Sequence, residues 1–394
     1  MDKSSKKHDA RSDATRLVHG GRKPSAFHGF INTPVYRGST VLFDSFEKLK
    51  NSNQPYTYGR RGSPTIEALE TVIAEVEGGH RTVLAPSGLA AITGTLLSLA
   101  GAGDHVLMVD SVYQPTRYFC DAHLARLGVD VSYYDPCIGS GISELFRDNT
   151  RVVYTESPGS QTFEMQDVPA IAEALSGRDI WLVNDNTWGS PLYCNSFKLG
   201  ADVSIQAGTK YVVGHADAML GTVTTNERAA KAIVRGIQGM GMCAGSEEIY
   251  LGLRGLRTLQ VRLERHWRSG MEVAAWLMAR PEIERVLHPA MPNHPGHDIW
   301  KRDFSGASGL FSVIFKPLAE PALVAFLESL ELFGMGYSWG GFESLAVPFD
   351  PREYRTATTW SAPGPAVRFH IGLEDPIDLI GDLENGFSAL NARL

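Results

Sequence analysis

Short apolar runs alternate with amphipathic segments along the middle of this 394-residue chain. Runs of five or six residues that are bounded by polar or small residues predict buried strands. The predicted strands are 81–85, 105–110, 129–134, 151–155, 180–185, 202–206 and 219–224. The predicted helices between them include 88–100, 115–127 and 168–176. Strands that alternate with helices in this way indicate an α/β fold with a mostly parallel sheet.

Helix start and stop signals divide the chain into three parts. A helix is predicted to begin after Ser63, an N-cap residue that is followed by Pro64, and to end at a Gly-Gly pair. A long helical segment is predicted from Ser246 to the region of Trp267, and we place a domain boundary within it. Because an extended arm needs a surface to pack against, a second subunit is expected. The predicted parts are an extended N-terminal arm at 1–60, a large domain at 61–255 and a smaller α/β domain at 256–394.

The charge balance and the cysteine spacing exclude several classes of protein. The formal net charge of −7 and the pI of about 6.0 give no basic surface for nucleic acid. The lysine-rich stretch at 3–7 predicts a solvated tail and lacks the apolar core of a signal peptide. The longest apolar stretch, at 89–102, is too short to span a membrane. The four cysteines show neither metal nor disulfide spacing, so reduced thiols in a cytoplasmic protein are expected.

Lys210 is the strongest candidate for chemistry, because it follows the predicted buried strand at 202–206. Desolvation at such a position lowers the pKa of a lysine and makes its neutral amine available. A neutral amine can form a Schiff base with the aldehyde of pyridoxal phosphate, whose pyridine nitrogen must be kept protonated by a carboxylate. Asp185 ends another apolar run and fits that second role. The alternative for Lys210 is a surface lysine that ends a strand.

The residues around Lys210 also resemble a known signature. The segment Ser204-Ile-Gln-Ala-Gly-Thr-Lys-Tyr-Val-Val-Gly-His215 is similar to the lysine motif of the Cys/Met-metabolism pyridoxal phosphate enzymes. The resemblance runs from about Thr15 to the C-terminus. It implies a fold type I, aminotransferase-like architecture in which 61–255 binds pyridoxal 5'-phosphate. It also implies a small amino-acid substrate, with Lys210 as Schiff-base partner and proton shuttle.

The resemblance assigns the cofactor phosphate to a turn of small residues between a strand and a helix. It implies contacts from Ser87, Gly88 and Leu89, at a helix N-terminus that favours an anion. Thr209 would contribute its hydroxyl. Many family members have a serine where this chain has Ala207, a departure that removes one phosphate contact. Taken alone, the turn favours an ordinary strand-to-helix connection over a phosphate site.

A second set of residues is implied to reach the site from a neighbouring subunit. Tyr58 and Arg60 match the family's Tyr-x-Arg…Pro-Thr motif, whose members bind the neighbour's cofactor phosphate. A planar guanidinium suits bidentate contact with phosphate. The resemblance therefore implies a homo-oligomer with an active site shared between subunits, a dimer at minimum and a tetramer of two dimers in the family. Taken alone, this segment favours an exposed basic loop.

Two further residues receive roles from the resemblance. Tyr113 follows a predicted strand and is implied to stack face-on against the pyridine ring, as one of the catalytic residues. Arg368 lies in an apolar strand, where a charged side chain needs a partner. The family's Arg-x-x-x-Gly-x-Glu pattern implies that this partner is the substrate α-carboxylate. A structural salt bridge with Glu374 or Asp375 is the alternative.

The segment 337–345 carries the signal for the type of reaction. It reads Tyr-Ser-Trp-Gly-Gly-Phe-Glu-Ser-Leu, and it resembles the β-lyase version of a loop that reads Ser-Leu-Gly-Gly-Val-Glu-Ser in γ-acting members. Ser338 and Trp339 are therefore implied to lie beside the substrate, where a bulky indole would restrict reactive geometry. Ser160 likewise stands where γ-acting members have an asparagine. The resemblance implies the cystathionine β-lyase branch of the family.

Other interpretations stay open at this point. Trp339 also fits ordinary core packing. A γ-acting relative and a lyase for other cysteine conjugates would use the same cofactor machinery. A regulatory protein that only binds the cofactor would have no need of a proton shuttle, so the presence of Lys210, Asp185, Tyr113 and Arg368 argues against it.

Overall fold

The computed structural model describes residues 11–394, which form two β-sheets with flanking helices. The tail predicted at 3–7 lies outside the described residues. The strands are β1 (Arg81–Ala85), β2 (His105–Val109), β3 (Asp130–Tyr134), β4 (Thr150–Glu156), β5 (Trp181–Asp185), β6 (Val203–Gln206), β7 (Gly221–Thr225), β8 (Ile283–Leu287), β9 (Leu310–Phe315), β10 (Phe333–Gly334), β11 (Ser344–Phe349) and β12 (Ala366–His370). The helices are α1 (Asp13–His19), α2 (Phe46–Asn51), α3 (Pro64–Glu77), α4 (Gly88–Leu99), α5 (Gln114–Phe119), α6 (Val168–Ala174), α7 (Ser190–Tyr193), α8 (Glu227–Gly239), α9 (Ser246–Leu256), α10 (Leu259–Met278), α11 (His297–Asp303), α12 (Glu320–Glu328) and α13 (Pro376–Asn391). Within these residues, no helix combines the length and the apolar character that crossing a bilayer requires.

The first sheet has seven strands in the order β1-β7-β6-β5-β4-β2-β3. β7 pairs antiparallel with β1 and β6, and the other neighbours pair in parallel. The central strands are buried on both faces, which explains why their apolar runs are continuous. All seven predicted strands are present, so the expected α/β architecture with a mostly parallel sheet is confirmed.

One edge of this sheet gathers the polar residues that follow its strands. β1, β2, β4, β5 and β6 run in the same direction, so their carboxyl ends meet at this edge. Ser87 follows β1, Tyr113 follows β2, Glu156 ends β4, Asp185 ends β5 and Lys210 follows β6. In open α/β sheets, ligands bind at the carboxyl edge.

The second sheet has five strands in the order β10-β11-β12-β9-β8, with β12 at its centre. β12 pairs antiparallel with β11 and β9. Because side chains alternate along a strand, Arg368 and His370 of β12 project from the same face. The predicted boundary at 255/256 falls between the last strand of the first sheet and the first strand of the second. The core of the second sheet contains Phe311, Phe315, Phe326, Phe369 and Phe387.

Two segments predicted as single helices are irregular in the structure. The segment predicted from Ser246 to Trp267 forms α9 and α10, which are separated at Arg257 and Thr258. The helix predicted at 115–127 begins as α5 and continues as a π-helical turn and a 3-10 turn. Apolar residues keep a helical spacing across both irregularities, so periodicity alone does not reveal them.

The N-terminal arm is less extended than its composition predicts. It contains α1, α2 and a short 3-10 turn at 24–27. Leu17 of α1 is buried in the cluster that includes α3, whereas most residues between 28 and 58 lie on the surface. α1 and α2 have only seven and six residues, too few to give a periodic pattern.

Candidate active site

The structure places Lys210 against the turn 338–341, which carries two other predicted residues. Lys210 Nζ donates a hydrogen bond of 2.5 Å to Ser338 Oγ, and the Trp339 ring centroid lies 5.5 Å from the same nitrogen. Gly340 packs on the lysine backbone, since an added Cβ would lie 3.0 Å from Lys210 Cα. Gly340 and Ser338 have φ values of +84° and 86°, and for the serine this left-handed conformation is strained.

The surroundings of Lys210 favour its neutral amine. Burial, with the positive charge of Arg368 as a second cause, lowers the pKa of Lys210 from 10.5 to about 8. The negative charge of Asp185 raises the pKa and only partly offsets these effects. An amine with this pKa is partly neutral near physiological pH, in the form that attacks an aldehyde or accepts a proton.

Asp185 is a buried carboxylate whose hydrogen-bond partners are uncharged. Its Oδ1 accepts bonds from the N–H and the hydroxyl of Thr187, at 3.0 and 2.5 Å, and its Oδ2 accepts one of 3.3 Å from the Tyr154 hydroxyl. Burial raises the pKa of Asp185. In residues 11–394, no cationic side chain forms an ion pair with this carboxylate. A protonated pyridine nitrogen is a cation that such a carboxylate would stabilise.

Glu156 is a second buried carboxylate, which the sequence patterns did not single out. It is the register partner of Asp185 on the neighbouring strand, and its Oε2 accepts a hydrogen bond of 2.9 Å from the Tyr113 N–H. Burial and, after it, the charge of Asp185 raise the pKa of Glu156 well above its usual value. Burial and the neighbouring charge of Asp185 thus favour the protonated form of Glu156. Its place at the end of an apolar run is the signal that could have identified it.

The turn predicted to bind phosphate lies at the N-terminus of α4. Ser87 is the N-cap residue, and its Oγ accepts a hydrogen bond of 3.0 Å from the Ala90 N–H. The N–H groups of Gly88 and Leu89 have no acceptor among the residues that the structure describes. Gly88 packs on Ala207, where an added Cβ would lie 2.5 Å from the alanine Cβ. Free N–H groups at a helix N-terminus suit a phosphate.

Thr209 already has partners within the chain. Its hydroxyl donates to the Leu220 carbonyl at 3.2 Å and accepts from the Leu220 N–H at 2.9 Å. These bonds tie the segment before Lys210 to the residue that precedes β7. The contact between Thr209 and a phosphate stays a prediction.

Tyr58 and Arg60 stand apart from the residues around Lys210 of the same chain. Arg60 Nη1 donates a hydrogen bond of 2.7 Å to the Gln238 carbonyl, and Tyr58 is 45% exposed. Across residues 11–394, no hydrogen bond or ion pair joins either side chain to Lys210 or Asp185. Their action on a neighbouring subunit stays a prediction.

Arg368 is a buried cation, 8% exposed, whose Nη2 donates a hydrogen bond of 3.2 Å to the Ser338 carbonyl. Glu374 and Asp375, the alternative partners, form hydrogen bonds with other groups. Glu374 accepts bonds from the N–H and hydroxyl of Ser344, and Asp375 caps α13. Burial lowers the pKa of Arg368 to about 10, so the guanidinium remains charged at neutral pH. A buried charge without a carboxylate partner in the described chain suits an anionic ligand.

Tyr113 is close enough to Glu156 and to Arg368 for both to affect the pKa of its phenol. Burial and, after it, the charge of Glu156 raise the pKa of the Tyr113 phenol, whereas the charge of Arg368 lowers it. The side chain is still 43% exposed. This exposure leaves surface on which an aromatic ring can stack, the role that was predicted for Tyr113.

The donors and acceptors of the site fit pyridoxal phosphate. The amine of Lys210, the carboxylate of Asp185 and the free N–H groups of α4 suit an aldehyde, a basic pyridine and a phosphate, respectively. In the described part of the chain, no group of three or more His, Cys, Asp and Glu side chains is arranged to hold a metal ion.

Comparison with known proteins agrees with this chemistry. Residues 14–388 match the family described as Cys/Met metabolism PLP-dependent enzyme. The cystathionine beta-lyase MetC of Escherichia coli is 43% identical over 387 residues, which cover 95% of this chain and 98% of that protein. The cystathionine beta-lyase of Bordetella avium is 45% identical over 362 residues, covering 90% and 91%. The crystal structure of metB from Corynebacterium glutamicum matches with a TM-score of 0.90 at 32% identity and covers 97% of this chain and 99% of that chain. The chain therefore belongs to the Cys/Met metabolism family of pyridoxal phosphate-dependent enzymes.

Proposed function

We propose that this enzyme is a carbon–sulfur lyase that cleaves L-cystathionine by β-elimination. The reaction consumes one water and gives L-homocysteine, pyruvate and ammonia. The observation that carries the proposal is the turn 338–341, which contacts both an amine of lowered pKa, at Lys210, and a buried guanidinium, at Arg368. The likeness of the whole chain to the β-lyases of Escherichia coli and Bordetella avium supports the same reaction.

Different residues of the site bind the substrate and transfer the proton. Arg368 binds the α-carboxylate through charge-assisted hydrogen bonds and thereby orients the substrate. Lys210 is the base that accepts the Cα proton, because its lowered pKa supplies the neutral amine. The Ser338 hydroxyl accepts a hydrogen bond from this amine and holds it in place. When bound, pyridoxal phosphate supplies the electron sink for the charge that proton removal leaves at Cα.

Trp339 favours elimination at Cβ over reaction at Cγ. Elimination at Cβ needs the removal of one proton, from Cα, whereas reaction at Cγ needs a second removal, from Cβ. The indole packs edge-on against Tyr211, with ring centroids 5.4 Å apart, and lies 5.5 Å from Lys210 Nζ. A bulky ring held beside the amine restricts its movement toward Cβ.

The products of L-cystathionine cleavage test the proposed reaction. Incubation of the holoenzyme is expected to release pyruvate and homocysteine in equal amounts, measured by a coupled keto-acid assay and by mass spectrometry of the thiol. Release of 2-oxobutanoate and cysteine would place the reaction at Cγ. Turnover of other cysteine conjugates without turnover of cystathionine would assign a different lyase, and binding without turnover would indicate a regulatory role.

The pKa of Lys210 predicts how cofactor attachment depends on pH. In the full chain freed of cofactor, the rate of attachment to Lys210 should rise with pH and level off above a midpoint near the pKa of about 8. The sign follows because only the neutral amine attacks the aldehyde, and its fraction grows as pH rises through the pKa. Stopped-flow absorbance measures this rate. A midpoint close to 10.5, the usual value for lysine, would show that the amine is not desolvated.

We infer that a second copy of the chain covers the N-terminal arm. Four large apolar side chains of the arm are more than 60% exposed in the single chain, namely Phe30, Ile31, Leu42 and Phe46. Exposed apolar surface of this kind marks an interaction site, and a closed symmetric dimer is the commonest way to cover it. The proposed assembly is a homodimer with a shared active site, which pairs further into a tetramer.

Substitution of Arg60 tests whether the site is shared. Arg60→Ala should weaken cofactor retention by about tenfold, because a charge-assisted contact to phosphate would be lost. Equilibrium dialysis of the cofactor measures the change. Arg61→Ala is the matched control, since Arg61 is the exposed neighbour on the same turn. Equal retention by the Arg60 variant and the wild type would argue against a shared phosphate site.

We also propose a reducing, cytoplasmic location. The chain has four free cysteines, of which Cys137 and Cys243 are exposed. Exposed thiols persist where glutathione and thioredoxin keep them reduced.

A further inference from the structure

The turn 338–341 needs a support of its own, because its conformation is strained. Ser338 has a left-handed φ, and Gly340 packs against the backbone of Lys210. In the same turn, the Ser338 hydroxyl accepts a hydrogen bond from Lys210 and the Ser338 carbonyl accepts one from Arg368. A strained backbone persists only where surrounding contacts hold it.

His370 supplies such a contact. It is buried on β12, two residues after Arg368 and on the same face of the strand. The Gly340 N–H donates a hydrogen bond of 3.1 Å to His370 Nε2. Nε2 accepts this proton as the bare nitrogen of the ring, in the tautomer whose buried Nδ1–H has no partner among the described residues. The Gly341 carbonyl also lies 3.2 Å from Nε2, so both ends of the Gly340–Gly341 peptide segment contact this nitrogen.

Burial favours the neutral form of the His370 ring. Burial lowers the pKa of His370 well below its usual value, and the nearby His266, Arg368 and Lys210 lower it further. The His266 ring, from α10, lies 5.2 Å away between centroids, and the Tyr211 ring lies 6.2 Å away. A neutral ring has one bare nitrogen, which is the form that can accept the Gly340 N–H.

We propose that His370 is a positioning residue, which holds the Gly340 N–H and thereby keeps the turn 338–341 seated between Lys210 and Arg368. It acts through the turn and does not touch the reacting atoms. Without the acceptor, the buried N–H of Gly340 would lose its partner and the turn would move away from the lysine. The amine of Lys210 would then be more hydrated, and Arg368 would lose the Ser338 carbonyl. The inference rests on the proposed function only in its substrate measurement.

The test compares two replacements of similar size. His370→Gln places an amide oxygen near the position of Nε2 and keeps an acceptor, whereas His370→Leu removes it. In His370→Leu, the pH midpoint of cofactor attachment to Lys210 should rise by at least about one unit, because burial is the main cause of the lowered pKa. KM for L-cystathionine should rise about tenfold, with a smaller change in kcat. His370→Gln should stay within about twofold of the wild type in both measurements.

Two further variants separate this role from general loss of packing. His266→Leu removes the neighbouring buried imidazole but leaves the bond to Gly340, so both measurements should stay near wild type. Gly340→Ala displaces the same turn from the other side, since its Cβ would lie 3.0 Å from Lys210, and should raise the pH midpoint as His370→Leu does.

The outcomes distinguish this inference from the proposed function. Equal effects of His370→Gln and His370→Leu would overturn the positioning role, and so would an equal effect of His266→Leu. An unchanged pH midpoint of cofactor attachment in Gly340→Ala would show that the position of the turn does not set the pKa of Lys210. That result would also overturn the positioning role. If the midpoint shifts as expected but the wild type does not cleave cystathionine, the proposed substrate fails and the inference stands.

Discussion

Lys210→Ala is expected to remove the visible absorption of the lysine-bound cofactor and to lower lyase activity by about 10³-fold or more. The effect should be large because, in the proposed mechanism, one amine serves as both the attachment point and the base. No other lysine contacts the turn 338–341 in the described chain, so none is placed to substitute for it. Absorbance spectra and the release of pyruvate from L-cystathionine measure the two losses.

The matched controls are lysines on the same domain surface. Lys198 and Lys231 are exposed, and their replacement by alanine should leave both spectrum and activity unchanged. Persistence of the cofactor absorption in Lys210→Ala, together with its loss in a control variant, would mean that another lysine holds the cofactor.

The residues at the carboxyl edge of the first sheet were predictable because strand ends leave a local signal. The apolar runs of β5 and β6 end in a polar residue, and burial of the runs forces those residues to one edge. Asp185 and Lys210 could therefore be placed in one site before their contacts were known. The resemblance added Arg368 and Trp339, which no periodicity would have connected with them.

The contacts that complete the site could not be predicted, because they join distant parts of the chain. The hydrogen bond between Lys210 and Ser338 spans 128 residues, and that between Tyr113 and Glu156 spans 43. His370 likewise depends on the left-handed turn that brings Gly340 to it, and a serine at φ 86° has no sequence signature. Such conformations are set by tertiary packing, which overrides local preference.

Arg368→Leu is expected to lower kcat/KM for L-cystathionine by about 100-fold, mainly through KM. The estimate follows from the few kcal/mol that a buried charge pair with the substrate carboxylate would provide. Fold stability should not fall, because Arg368 has no carboxylate partner in the described chain and its burial is a cost to folding. Steady-state kinetics and thermal melting measure the two effects.

A substrate analogue makes this prediction specific to the carboxylate. If Arg368 binds that group, replacing the α-carboxylate of cystathionine by an amide should lower the kcat/KM of the wild type by a much larger factor than that of Arg368→Leu. Arg265→Leu is the control, since Arg265 donates to the Glu374 carbonyl and contributes its contact to structure rather than to the site. If the change from carboxylate to amide lowers kcat/KM by the same factor in the wild type and in Arg368→Leu, the guanidinium does not bind the α-carboxylate. Arg368 would then act on the turn 338–341 through the Ser338 carbonyl, the one hydrogen bond that its Nη2 makes in the described chain.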